Sequence, residues 1–329
     1  MTGIGLAGAT RVESITASSA IEGVVVDAGR IQGLVADGAE PRRFRNRNER
    51  EFAGYRDAMD EISRAATGLE ALSVPYVLHL HRLLFGHTDG GGGRLKTEQN
   101  LIVSYEHGHR EVLFTPPSPR ETEFLLPDLF DRYRQAVADQ AAHPILLVGA
   151  LVLDFLAIHP VADGNGRLAR LITTHALFQQ GYSVSRYVSI EQRMFQTRDA
   201  YYDAMYASQR GWPEGEHDIW PWIGYLVDVL AAAYDDFEAR VVARRNLAAG
   251  SKQDQVRRYI LDHAPPVFRF RDVRSALPGI SDPTIKRVLA DLRRDGAIEL
   301  VDDQASGRLS AWRRRAHGAE QNPKTATLK

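Results

Sequence analysis

No cysteine occurs among the 329 residues of this chain. Disulfides, thiolate nucleophiles and thiolate metal sites are excluded, and a reducing cytoplasmic setting is the expectation that follows. Long apolar runs are missing too. The greasiest stretch, residues 145–161, is short for a bilayer and is broken by Asp154, so it reads as a buried core helix rather than a span. The opening "MTGIGLAGATRVESITASSAIEG" lacks a basic leader followed by a sustained apolar segment, and no signal peptide is expected from it. A strong net charge is also absent, the formal value being -1 at pH 7. That balance is uneven along the chain. Between Lys252 and Arg315 there are 14 Lys and Arg against 9 Asp and Glu, so only this C-terminal piece is a candidate for attraction to nucleic acid.

What is present suits a chain of two or three domains with real cores. Residues 12–22 are expected to form a short helix with Val12, Ile15, Ser19 and Glu22 on one side. The glycine-punctuated segment that follows, to Gly38, is expected to wrap the body loosely. Phe44, Phe52, Tyr55 and Met59 are spaced as one helical face. "VPYVLHLHRLLFG" opens a further helix with Pro75 in its first turn. "HTDGGGGRLKTEQ" is a glycine-rich loop, by itself a weak signal for phosphate. "NLIVSYEHGHREVLFTPP" reads as two short strands around "EHGH", stopped by Pro116 and Pro117. Long helices are expected from about Glu121, Pro144, Gly166, Arg198 and Trp220. "RRNLAAGSKQDQ" reads as a linker. Beyond it "DQVRRYILDHA", "FRFRDVRSAL" and "SDPTIKRVLADLRRDGAIEL" read as three helices, and a strand, turn and strand close the segment, which is the layout of a winged helix.

The richest chemistry lies in "IHPVADGNGRLAR", Ile158–Arg170. A helix beginning near Arg167 would offer unpaired N–H groups and the positive end of its dipole, and flanking glycines let an anion approach that backbone. Arg167 and Arg170, three residues apart, supply planar forks suited to phosphate oxygens. Asp163 is a hard oxygen ligand of the kind magnesium takes, and His159 is the nearby group that titrates close to neutrality. Taken one at a time, a histidine before proline and a "DGNG" turn are ordinary structural features. Their ordered combination describes a site that grips a polyphosphate beside a base.

The run His159-Pro160-Val161-Ala162-Asp163-Gly164-Asn165-Gly166-Arg167-Leu168-Ala169-Arg170 resembles the signature of the Fic family, HPFx[DE]GNGRxxR. Val161 stands where the family usually has phenylalanine, a change expected to touch packing more than chemistry. The resemblance covers roughly residues 10–230. It implies a mainly α fold: a Fic-type helical bundle with a β-hairpin flap, followed by a small winged-helix α+β domain. The domains would be an N-terminal segment at 1–40, a catalytic domain at 41–245, the winged-helix-like domain at 246–315 and a disordered tail at 316–329. The implied activity is transfer of AMP from ATP, with Mg²⁺, to a Ser, Thr or Tyr hydroxyl of a target protein or of the chain itself. His159 would be the general base and Asp163 the metal ligand. Gly164, Asn165 and Gly166 would hold the reacting phosphates, and Arg167 and Arg170 the outer ones. Tyr201 and Tyr202 match positions near the adenosine, although two adjacent tyrosines on one helix cannot both face one ligand.

"SSAIEG", Ser18–Gly23, resembles the family's inhibitory motif [ST]xxxE[GN]. By that resemblance Glu22 would pair with Arg170 and take away a phosphate anchor. The implied partners are a target protein added as a strand to the Asn100–Thr115 flap, DNA or protein for the winged-helix segment, and a second copy of the chain; no membrane is implied. The alternatives are an ATP-sensing DNA-binding regulator, a different donor, and removal of AMP by the same site.

Overall fold

The computed structural model describes residues 4–35, 44–64, 71–106, 109–248, 250–301 and 310–315. The chain divides into two compact units that part between Phe237 and Glu238.

The first unit is a helical bundle with one hairpin. Its elements in order are α1 (Ile4–Ile21), α2 (Ala28–Val35), α3 (Arg47–Arg64), α4 (Val74–Leu84), β1 (Ile102–Glu106), β2 (His109–Phe114), α5 (Pro119–Ala138), α6 (Pro144–Ile158), α7 (Asn165–Gln179), a 3-10 turn (Val184–Arg186), α8 (Ile190–Gln196), α9 (Arg198–Gln209) and the part of α10 (Trp220–Ala248) that precedes Glu238. Starts and stops follow local chemistry. The Ser73 hydroxyl accepts from Tyr76 N–H at 3.4 Å, with proline in the first turn of α4. Ser118 and Glu121 close a capping box on α5. At the end of α1 the Val24 N–H reaches Ser19 O at 3.0 Å and Gly23 N–H reaches Ala20 O at 3.0 Å, with Gly23 left-handed at φ 75. That pair of bonds is a Schellman turn, and it fixes the direction in which Glu22 leaves the helix.

The core forms around α6 and α7. Val152, Phe155, Ile158, Leu168, Leu171 and Ile172 are all buried. Because α6 is covered on nearly all sides, its sequence is apolar without a polar face. Asp154, the residue that breaks the run, accepts from Trp212 Nε1 at 2.7 Å. Val161 is fully buried, so the smaller side chain is absorbed into the core.

Several expectations are corrected. The first helix begins at Ile4 rather than near Val12. The segment expected to wrap loosely holds α2, whose Leu34 and Val35 are buried in the core; its glycines masked the helical spacing of the apolar residues. α8 had no counterpart in the expected elements. α7 starts two residues early, at Asn165. α10 runs to Ala248, through the start of the segment read as a linker. The tip of the hairpin, residues 107 and 108, lies outside the described residues.

The second unit carries α11 (Lys252–Arg258) continuing into a π turn (Tyr259–His263), then β3 (Val267–Arg269), α12 (Phe270–Ala276), α13 (Asp282–Arg294), β4 (Ile298–Leu300) and β5 (Ala311–Arg314). The strands form an antiparallel sheet in the order β3-β5-β4. Phe268, Val273, Ile285, Val288, Leu292 and Ile298 share its core. "FRFRDVRSAL", expected to be helical throughout, gives its first part to β3. Phe268 points inward between exposed Val267 and Arg269, an alternation too short to stand out in the sequence. Residues 302–309 and the tail 316–329 lie outside the described residues.

Candidate active site

The loop between α6 and α7 is built around a residue in an uncommon conformation. His159 caps α6 in the left-handed region, φ 50 and ψ 60, where non-glycine residues are rare. Pro160 cannot continue the helix. The His159 N–H donates to Phe155 O at 3.0 Å, and Nδ1 lies 3.2 Å from Leu156 O. A carbonyl only accepts, so Nδ1 carries the proton and Nε2 keeps a free lone pair. Burial pushes the imidazole pKa down to about 4, against the opposing pull of the Leu156 carbonyl, and Lys96 adds to the depression. At neutral pH His159 is an uncharged base.

Asn165 braces the loop. Its Oδ1 accepts from Val161 N–H at 3.1 Å and its Nδ2 donates to Val161 O at 2.7 Å, in a buried position. Sequence resemblance gave this side chain to phosphate, whereas here the amide is spent on the turn. Replacing Asn165 by alanine is expected to leave the buried Val161 N–H unpaired, Val161 O keeping its bond from Asn100, and to lower stability by about 1–3 kcal/mol, read as a fall in the thermal midpoint. An unchanged midpoint would remove the bracing role. Asn165 is also the first residue of α7, so unpaired helix N–H groups sit at this point. Gly164 is left-handed at φ 87, and a Cβ on Gly166 would stand 2.3 Å from the Glu22 carboxylate. Glycine at 166 is what lets Glu22 lie against the backbone.

The two arginines part company. Arg170 is 2% exposed and faces α1: Nε donates to Ser18 Oγ at 2.7 Å, and Nη2 donates to Ser18 O at 3.1 Å and to Glu22 Oε1 at 2.8 Å. Its Nη1 is buried with no hydrogen-bond partner and lies 3.4 Å from where a Cβ on Gly166 would stand. Burial opposes the Arg170 charge, but Glu22 and the nearby tyrosine hydroxyls outweigh it and raise the pKa. Arg167 instead turns to α3, where Nη1 donates to buried Glu51 at 2.7 Å and the guanidinium covers the Phe85 ring at 5.0 Å. Burial works against the Glu51 charge, yet Arg47 and Arg167 hold its carboxyl below the usual range. Asp163 stays open, its side chain 57% exposed, with only distant guanidinium contacts at 3.5 Å to Arg167 and 3.6 Å to Arg47. Tyr201 is buried against Trp222 and Tyr225, while Tyr202 is 46% exposed with burial pushing its phenol up to about 12.

Two residues that the motif did not point to complete the site. Buried Lys96 donates from Nζ to Ile158 O at 2.9 Å and to Asn100 Oδ1 at 3.0 Å. Asn100 Nδ2 donates to His159 O at 3.2 Å and to Val161 O at 3.1 Å. The one trace of them in the sequence is a polar pair placed just before the first strand. Glu51 likewise has no local signature. Beside the loop, a cavity of about 520 Å³ is lined by Arg47, Arg50, Arg94, Thr97, Ala162 and Asp163 among others.

Residues 71–177 match the family model described as Fic/DOC family. This segment is similar to Fic/DOC domains. The Fic/DOC match runs from just before α4 to α7 and so includes the whole loop from His159 to Arg170. Curated proteins named protein adenylyltransferase Fic, from Drosophila ananassae and Drosophila yakuba, are 27% identical over 186 residues, covering 56% of this chain and 33% of theirs. The chain therefore spans about a third of the length of those Fic relatives. Among solved structures, a Fic family protein from Desulfovibrio desulfuricans aligns with a TM-score of 0.55 at 20% identity, over 94% of this chain and 88% of that one. Fic-1 from C. elegans aligns at 0.54 and 21% identity, over 70% and 63%. The Fic fold is thus mainly helical here, with the two-stranded hairpin and a C-terminal three-stranded sheet. No helix among the described residues is long and apolar enough to cross a membrane.

Proposed function

We propose that the chain is a protein adenylyltransferase held in check by its own Glu22. The observation that carries this reading is Arg170: a buried guanidinium at the start of α7, paired with Glu22 and with one Nη1 donor left unpartnered. An orphaned buried cationic donor beside a glycine backbone and a helix N-terminus fits a phosphate oxygen. Glu22 lies against Gly166 on the same ground, so the carboxylate and the outer phosphate of ATP compete for one arginine.

In this mechanism the target hydroxyl oxygen bonds to the α-phosphorus, the bond to the bridging oxygen of the β-phosphate breaks, and pyrophosphate leaves. His159 Nε2 receives the hydroxyl proton, and its depressed pKa keeps it ready at neutral pH. Arg170 and the backbone from Gly164 to Gly166 hold the phosphates, while Asn165 keeps that backbone in shape. Arg167 acts through Glu51, fixing α7 against α3 more than reaching outward. Among the described residues no three His, Cys, Asp or Glu gather to hold a metal. Magnesium would take Asp163 as its protein ligand and complete its shell with water and phosphate oxygens, as it does at other nucleotide sites. When bound, it neutralises phosphate charge. The target would add a strand to the hairpin, and exposed Val112 on β2 supplies an apolar contact there. Tyr202, the exposed member of the pair, is the better candidate for the adenosine. Mass spectrometry of a lysate treated with ATP and the Glu22→Gly chain tests the reading. AMP adducts on Ser, Thr or Tyr are expected, and their absence, or adducts of another mass, would overturn it.

The second unit supports a separate reading as a winged helix that binds DNA. Lys286 and Arg287 are exposed on α13, and Arg313 and Arg315 are exposed at β5. The full chain is expected to bind duplex DNA at low salt with affinity that falls as salt rises, and the Lys286→Glu/Arg287→Glu chain to lose about two units of that logarithmic salt slope. No binding at 50 mM salt would leave a protein-docking module as the use of this unit.

A further inference from the structure

The loop that carries His159 is held from outside itself. Its four successive carbonyls, Ile158 to Val161, all accept hydrogen bonds, and the five-residue segment Lys96–Asn100 reaches every one of them. Lys96 Nζ takes Ile158 O, Asn100 Nδ2 takes His159 O and Val161 O, and the Lys96 backbone N–H takes Pro160 O at 2.9 Å. The neighbour Gln99 turns the other way and donates from Nε2 to Pro116 O at 2.7 Å, just past the end of β2. One short segment therefore grips both the catalytic loop and the two-stranded hairpin at its base. Asn100 stands two residues before β1 begins.

We propose that Asn100, braced by Lys96, is a positioning residue for His159 that couples the hairpin to the orientation of the base. The inference rests on the reading of His159 as base and of the hairpin as the docking strand. The left-handed His159 is held on its helix side by its own bonds to Phe155 O and Leu156 O, and a non-glycine residue there still needs support from the chain that follows. Lys96 pins the peptide before it through Ile158 O, and Asn100 pins the peptides after it through His159 O and Val161 O with one amide. Lys96 is buried, which lowers its pKa to about 8, and it orients the Asn100 amide by accepting no bond itself and donating to Oδ1. Nδ2 is thereby left to face the loop. A target strand added to the hairpin would pull on the same segment that sets the imidazole.

The test compares Asn100→Leu, which keeps shape and neutrality but has no N–H, with Asn100→Ser, which keeps one donor. Both are made in the Glu22→Gly chain. For Asn100→Leu, kcat for target labelling is expected to fall about 10- to 100-fold with the KM for ATP within about twofold, since small misplacement of a base is expensive while the phosphate grip is elsewhere. Asn100→Ser should recover part of the loss. A second arm needs no activity: the histidine ring signal in NMR that disappears in His159→Asn should shift in Asn100→Leu while the other histidine signals stay put. An unchanged kcat, an unmoved His159 signal, or a KM for ATP that rises in step with the loss of kcat would each overturn the proposal. If His159→Asn itself still labels targets, the base reading fails, and the NMR arm alone decides whether Asn100 orients the ring.

Discussion

Replacing Glu22 by glycine is expected to raise AMP transfer by about 10- to 100-fold at limiting ATP, the range set by one or two charge-assisted hydrogen bonds in a buried position. In the resting chain Arg170 Nη2 is committed to Glu22 Oε1 at 2.8 Å. The carboxylate also occupies the approach to Gly166, where a Cβ would meet it at 2.3 Å. Removing it frees a guanidinium and opens the backbone beside it in one change. Arg170 stays in place, because Nε and Nη2 remain bonded to Ser18. The Schellman turn after α1 also survives, since its bonds are between backbone groups. The local effect on stability is therefore small, about the 0.5–1 kcal/mol of an added glycine. Glu22→Gln separates shape from charge: it fills the same space without the carboxylate, and an intermediate rate is expected. The readout is the labelling rate as a function of ATP concentration. Equal curves for the wild-type chain and Glu22→Gly would end the inhibitory reading.

The sequence was most informative where function is local. From His159 to Arg170 the site residues are contiguous, so their order carried the chemistry, and the helix break at Pro160 and the glycines around Asn165 are visible as turn signals. The limits of α4, α6 and the hairpin were legible for the same reason: Pro75, Pro144 and the Pro116–Pro117 pair act on their own backbone. What escaped depends on distance. Arg167 and Arg170 look equivalent three residues apart, yet one meets Glu51 across 116 positions and the other Ser18 and Glu22 across about 150. Spacing on a helix says which residues share a face and nothing about what covers it. Asn165 is one residue type with two uses, because the amide that suits phosphate also suits a tight turn, and here it bonds Val161 N–H and O. Lys96 and Asn100 left almost no trace, since a buried lysine is identified by the carbonyls it finds and those belong to another segment. α2 was hidden by composition, its glycines overriding the two apolar residues that anchor it.

His159→Ala is expected to lower labelling by about 10²–10⁴-fold, the usual worth of a positioned general base. The left-handed backbone complicates that substitution, because alanine there costs about 1–2 kcal/mol and could loosen the loop for reasons unrelated to proton transfer. His159→Asn avoids the difficulty: asparagine tolerates this conformation, is uncharged and cannot serve as the base. Both variants should lose the reaction while calorimetry shows ATP binding kept in the Glu22→Gly background, since the proposed phosphate contacts come from α7 and the glycine turn before it. The pH profile supplies an independent check on the active chain. Only the neutral imidazole accepts a proton, so activity must fall as pH drops through the His159 pKa. Burial has moved that value from the ordinary 6.5 down to about 4, so the rate should stay flat from neutrality through pH 6 and decline only toward pH 4. In the Glu22→Gly chain the limb should not move upward, because the carboxylate that opposed the depression is gone. An acid limb near 6.5, or labelling retained by His159→Asn, would take the proton away from His159 and assign it to another group.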